Sequence, residues 1–337
     1  MTPIRWILPC ALLCAAPHAA LAEPASAPTA AVIKFHGYTE AIELRRGDVR
    51  VVLCPQAGGR VLEYSWNGKQ ALYLDDKEKA WQPGQPPMAS AGRFDVGPEL
   101  TVKPHPRIWS GPWKGEIVNQ SAARLTSERD ADSGLQLIRT FELHDQPATA
   151  GAWLSCEQTI INISDEPREV CHWGRSFSPG GGICLIPLGN RPSRFPGKYA
   201  MYEEGTIINV KNSDPQIRER DGFLEILAAP RKPKLGFDTF AGWFGYLMPG
   251  DLLLVKRFKT YPDRVYNEAA GLTMSVWYPP GPRVELEPIG PRERLAPGDR
   301  ASFTEEWWLL AFPFPTGNSP VDLVELTRQV AKRTAGD

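Results

Sequence analysis

Arg60-Val61-Leu62-Glu63-Tyr64-Ser65-Trp66-Asn67-Gly68-Lys69-Gln70 reads as a strand, a two-residue turn and the start of a returning strand. Leu62, Tyr64 and Trp66 alternate with Val61, Glu63 and Ser65, the period of two expected of a half-buried strand. Asn-Gly follows, and both residues tolerate the positive φ of a type I′ hairpin turn. The same grammar continues on either side. Short β-prone runs at 41–45, 49–54 and 70–74 are parted by Arg46-Gly47-Asp48 and Ala57-Gly58-Gly59. Others follow at 115–119, 124–129, 135–144, 152–163 and 168–177, then at 224–228, 242–248, 252–260, 272–278, 283–288 and 301–311. The turn Ser164-Asp165-Glu166-Pro167 is expected to join two of them as a hairpin. Many short strands with regular turns predict an all-β fold, a large antiparallel β-sandwich. A short C-terminal helix is predicted over 320–333, with Ser319 as N-cap, Pro320 first in the helix, and Leu323, Leu326 and Val330 on one face.

The N-terminus stands apart from this pattern. Met1 to Arg5 is basic, Trp6 to Ala16 is apolar, and Ala20-Leu21-Ala22 has the small-x-small form of a processing site. Residues 1–22 are therefore expected to be a signal peptide, 23–40 a disordered tail and lead-in, and 41–337 one sandwich domain. Export to the periplasm or beyond follows. No integral membrane segment is expected after signal removal, because no later apolar run is long enough. With 38 Lys and Arg against 39 Asp and Glu and no basic block, a nucleic-acid partner is not expected. Cys54, Cys156, Cys171 and Cys184 survive processing; their even number permits disulfides, and buried thiols are the competing reading. No Cys or His set has zinc spacing, so no metal is predicted.

The chemistry-bearing residues concentrate in three places. Residues 79–112 form a long Pro- and Gly-rich segment holding Arg93, Asp95, Glu99, His105 and Trp109, and a loop of that content is more often functional than idle. Val170-Cys171-His172-Trp173-Gly174-Arg175 offers an imidazole, and Val284-Glu285-Leu286-Glu287-Pro288 a carboxylate. Glu285 and Glu287 fall on the same strand face, and the sequence does not separate them. Trp109, Trp113, Trp173 and Trp277 are candidate platforms for a sugar ring, with core packing as the alternative. Arg93 and Arg175 are candidate clamps, since the planar guanidinium fork grips hydroxyls and carboxylates. Arg231-Lys232-Pro233-Lys234 reads as a solvated turn, and Lys256-Arg257 as a possible contact for an anionic sugar.

With these stretches in hand, the chain resembles the galactose mutarotase-like (aldose 1-epimerase-like) superfamily, and more closely an exported bacterial branch of it. The likeness runs from about Ile42 to Phe312. It is carried by Ala91-Gly92-Arg93-Phe94-Asp95, by Pro104-His105-Pro106, by Asn162-Ile163-Ser164-Asp165 followed by Cys171-His172-Trp173, and by Val284 to Pro288 with Leu295-Ala296-Pro297-Gly298-Asp299. Trp173-Gly174-Arg175 stands where the family usually has Pro-Tyr-Phe. The resemblance implies a saccharide ligand, Glu287 as catalytic base and His172 as acid, with Arg93, Asp95, Glu99, His105, Trp109, Trp113, Trp173, Arg175, Trp277 and Glu285 around the sugar. Mutarotation moves protons only, so no cofactor is implied. Two further classes stay open: a non-catalytic carbohydrate-binding protein, and a lyase or hydrolase acting on polysaccharide.

Overall fold

In the structure, a computed structural model describing residues 27–145, 152–204, 207–317 and 319–334, the Arg60–Trp66 strand turns through Asn67 (φ 50°) and Gly68 (φ 73°) into Lys69–Gln70. Both turn residues are left-handed, as a type I′ turn requires. The alternation in Arg60–Trp66 breaks once. Leu53 pairs with Val61 and Val52 with Glu63, leaving Leu62 as the extra residue of a bulge. Val61 and Tyr64 consequently both enter the main core, while Leu62 packs on the outside with Tyr38 and Trp81.

Among the described residues the strands make two antiparallel sheets, one of thirteen strands and one of ten. Through the middle of the larger sheet run, in order, Gly92–Gly97, Arg168–Pro179, Arg283–Pro288, Met274–Trp277, Lys234–Phe237 and Ala200–Tyr202. The middle of the smaller sheet is Trp243–Met248, Leu252–Phe258, Arg300–Ala311, Ala152–Asn162 and Leu135–Asp145. Phe94, Val276 and Leu286 from the first sheet meet Phe141, Leu154, Leu254 and Leu309 from the second in one apolar layer.

That layer has a charged centre. Lys256 donates to Glu305 and to Ser176, each at 2.8 Å, and Glu305 also accepts from Trp307 and Gln158, both at 2.8 Å. Arg139 nearby donates to the carbonyls of Gly59 (2.8 Å) and Gly92 (3.2 Å). Lys256, read from sequence as a contact for an anionic sugar, is thus sealed in the interior. Gly174 lies opposite this cluster because a Cβ there would stand 1.8 Å from Glu305 Oε1.

Four expectations need correction. The Ser164–Pro167 turn makes no hairpin: Ala152–Asn162 pairs within the ten-stranded sheet and Arg168–Pro179 within the other, so the turn crosses between sheets. The stretch expected as disordered lead-in contains a strand, Thr29–Phe35, paired with Tyr38–Arg46. The run at 70–74 is strand only over Lys69–Gln70. The C-terminal helix spans Leu323–Thr334 and begins at Asp322, whose Oδ1 accepts the Glu325 N–H at 2.9 Å. Asp322 caps as well as serine does, and its position lets Leu323, Leu326 and Val330 pack on Trp308 and Leu310. Residues 1–22, the expected signal peptide, lie outside the described residues. All four described cysteines are buried and unbridged. Among the described residues no helix is long and apolar enough to cross a membrane.

Candidate functional site

The Arg168–Pro179 strand is buried on both faces, and its two faces do different work. His172, Gly174 and Ser176 point between the sheets, towards Phe303, Glu305 and Lys256. Trp173, Arg175 and Phe177 point the other way, to the outer face. Neighbouring strands follow the same parity. Phe94 and Leu286 join the core, while Asp95, Glu285 and Glu287 share the outer face with Arg175.

Arg175 is the hub. Its Nε donates to Glu285 Oε1 at 2.7 Å, its Nη2 to Glu285 Oε2 at 3.3 Å and its Nη1 to Asp95 Oδ2 at 3.1 Å. The guanidinium lies 5.1 Å from the Trp109 ring and 5.0 Å from the Trp173 ring, so two indoles fix its plane. Asp95 Oδ1 bonds His105 Nε2 at 2.8 Å, and His105 Nδ1 bonds the Lys103 carbonyl at 2.8 Å. On the other side, Glu287 Oε2 accepts from Lys234 (2.5 Å) and from the Trp173 indole (3.2 Å). Glu99, Arg175, Phe177, Tyr202, Trp277 and Glu285, with Lys234, line a cleft of about 350 Å³ above this network.

The charges pull the two glutamates apart. Burial, then repulsion from Glu287, pushes Glu285 up to about 7 against the pull of Arg175. Burial also favours the neutral form of Glu287, but Lys234 and Arg175 together outweigh it and hold that carboxyl below its usual range. The pair thus divides into an ionised Glu287 beneath and a titrating Glu285 in the cleft. Burial opposes ionisation of Asp95 and His105, yet their mutual contact, aided by Arg175 on Asp95, lowers the carboxyl and raises the imidazole.

Several residues singled out in the sequence meet here: Asp95, Glu99, His105, Trp109, Trp173, Arg175, Trp277, Glu285 and Glu287. Arg93 is adjacent but turned aside, its guanidinium 4.7 Å from the Trp109 ring and bonded to backbone carbonyls of Met88 and Ser90. Trp113 is not in the cleft. It is buried against Gly59, and its indole donates to the Ile108 carbonyl at 2.9 Å.

His172 is the main correction. It is fully buried between Phe94 and Phe303, on the opposite sheet face from Glu287, with Nε2 3.1 Å from the Ala301 carbonyl. Burial drops its pKa to about 4 from an ordinary 6.5. It is neutral and interior, and cannot hand a proton to anything in the cleft. Acid should therefore act on it through stability. Between about pH 6.5 and 4 the unfolded chain protonates this residue and the folded chain does not, so stability falls as pH falls. His172→Gln, which can still donate to Ala301, should lose less thermal stability than wild type between pH 7 and 5. An equal loss in both would show that His172 carries no such linkage.

Tyr202 and Glu268 went unnoticed in sequence, and Lys234 was read as part of a solvated turn. Lys234 opens the Lys234–Phe237 strand, pairs with Trp277 and reaches Glu287. Glu268 is buried in the segment before Met274–Trp277, and its Oε2 accepts the backbone N–H of Glu99 at 2.8 Å.

The two large antiparallel sheets match the galactose mutarotase-like fold. A galactose mutarotase-like protein from Lactobacillus casei superposes with a TM-score of 0.56 at 12% identity, covering 80% of this chain and 100% of that one. A candidate aldose 1-epimerase from Escherichia coli K12 gives 0.55 at 11% identity, covering 86% and 100%. A galactose mutarotase-like protein from Clostridium acetobutylicum gives 0.55 at 11% identity, covering 85% and 98%. By sequence, no family model and no curated protein matches the chain.

Proposed function

We propose that the outer-face cleft binds a saccharide and that Glu285 exchanges a proton with it in aldose 1-epimerase-like chemistry. One observation carries this reading: Glu285 lines the cleft with its proton affinity brought near neutrality. Such a carboxyl can take the proton of an anomeric hydroxyl and return it at physiological pH. Phe177, Trp277 and Tyr202 offer apolar surface for the C–H face of a pyranose, while Arg175 and Lys234 offer donors for its hydroxyls. Export, the reading of residues 1–22, is part of the same proposal: the protein would meet its sugar outside the cytoplasm.

A second reading, a binding protein without catalysis, is favoured by a specific feature. The cleft-side histidine, His105, has both ring nitrogens engaged, leaving neither for a ligand. Polarimetry of freshly dissolved α-D-glucose and α-D-galactose separates the two. Rotation that relaxes faster with protein than with buffer supports proton exchange. Calorimetric binding with no change in relaxation selects the binding protein.

A further inference from the structure

Removing His172 from the site leaves the second proton carrier unassigned, because ring opening needs an acid as well as a base. We infer that Glu268 is that second group, acting across the cleft from Glu285; the inference rests on the proton-exchange reading above. Its placement is built. The backbone carbonyl of Glu268 accepts from Gly271 and Leu272, both at 3.0 Å, and Arg194 ties the carbonyls of Ala270 (2.9 Å) and Gly271 (2.8 Å). Space for the carboxyl exists because residue 97 is glycine: a Cβ there would stand 2.8 Å from Glu268 Oε2.

The carboxyl lies directly behind Glu99, one of the residues that line the cleft. It holds the Glu99 N–H through Oε2 at 2.8 Å. Asp95, Glu285 and Glu287 each have a cationic partner within hydrogen-bond distance. Among the described residues Glu268 has no such partner, and Oε1 makes no protein hydrogen bond at the residue's 4% exposure. A buried carboxyl held by a single backbone N–H favours its protonated form, and burial pushes it up to about 7.

The proton count closes. Glu285 as carboxylate takes the O1 proton while the C1–O5 bond breaks and O5 takes the proton of Glu268. Rotation about C1–C2 turns the aldehyde. O5 then returns its proton to Glu268 as it attacks C1, and Glu285 protonates the former carbonyl oxygen. Nothing is consumed.

The test combines activity with a readout independent of substrate. With α-D-glucose and α-D-galactose, Glu268→Gln should slow anomer exchange about a hundredfold to ten-thousandfold. Wild type should show a bell-shaped pH profile, rising as Glu285 ionises and falling as Glu268 loses its proton; E268Q should lose the falling, alkaline limb. Glu268→Ala should regain rate when formate is added, which a purely structural role would not allow. In thermal unfolding E268Q should match wild type at pH 5 and exceed it at pH 8.5. The folded carboxyl, raised to about 7 from 4.5, loses stability relative to the amide as pH climbs through that range. An E268Q rate within threefold of wild type, an unchanged alkaline limb, or no stability gain at pH 8.5 overturns the role of Glu268 and leaves that of Glu285 standing. A wild type inert on both sugars overturns proton exchange, and this inference with it.

Discussion

Glu285→Gln is expected to reduce anomer exchange by about a hundredfold to ten-thousandfold while saccharide binding stays measurable. The amide keeps the shape of the carboxyl and can still accept from Arg175, so the cleft persists without its proton acceptor. Glu287 should behave differently, since it lies beneath the cleft and is held ionised by Lys234 and Arg175. Glu285 lines the cleft and Glu287 does not, so the proposal gives the base role to Glu285, whereas the family resemblance implied Glu287. Polarimetry with calorimetry on the same preparations checks this. If Glu285→Gln keeps the wild-type rate, Glu285 is not the proton carrier.

The second large effect lies behind the site. Lys256→Met should cost about 3–5 kcal/mol of stability, because it leaves Glu305 buried without its cation. The buried pair engages the back of the strand that carries Trp173 and Arg175: Lys256 bonds Ser176, and Glu305 fills the space beside Gly174. Replacing both partners, Lys256→Met with Glu305→Leu, should recover much of the loss, since the unpaired charge is gone. Urea unfolding measures both variants. A Lys256→Met protein within about 1 kcal/mol of wild type would mean the pair is not holding a buried charge.

The sandwich was legible in particular residues. Asn67-Gly68 marked a hairpin that forms, and the β-prone runs at 49–54 and 60–66 are strands, although the bulge at Leu62 breaks the alternation of the second. Short strands were harder. Ile183–Pro187, Ala200–Tyr202 and Lys234–Phe237 are three to five residues long, too short for a period of two to register. The site was legible as a set of segments but not as a set of faces. Val170 to Arg175 is buried on both sides, so it lacks the apolar-polar alternation that would reveal which parity meets solvent. The histidine's place in the cleft therefore rested on the family resemblance alone, and one residue of offset sends it to the interior. Gly174 held the clue: a glycine in mid-strand marks a close approach, here by Glu305. Glu268 had no signal at all, because its placement depends on a glycine at position 97 that sequence places far away.

The most direct test of the cleft is a crystal grown with D-glucose or D-galactose at saturating concentration. A pyranose ring is expected against Trp277 and Phe177, with a hydroxyl within hydrogen-bond distance of Glu285. A sugar seated only in the separate cavity of about 470 Å³ beside Asn190 and Ser193, with the Glu285 cleft empty, would contradict it.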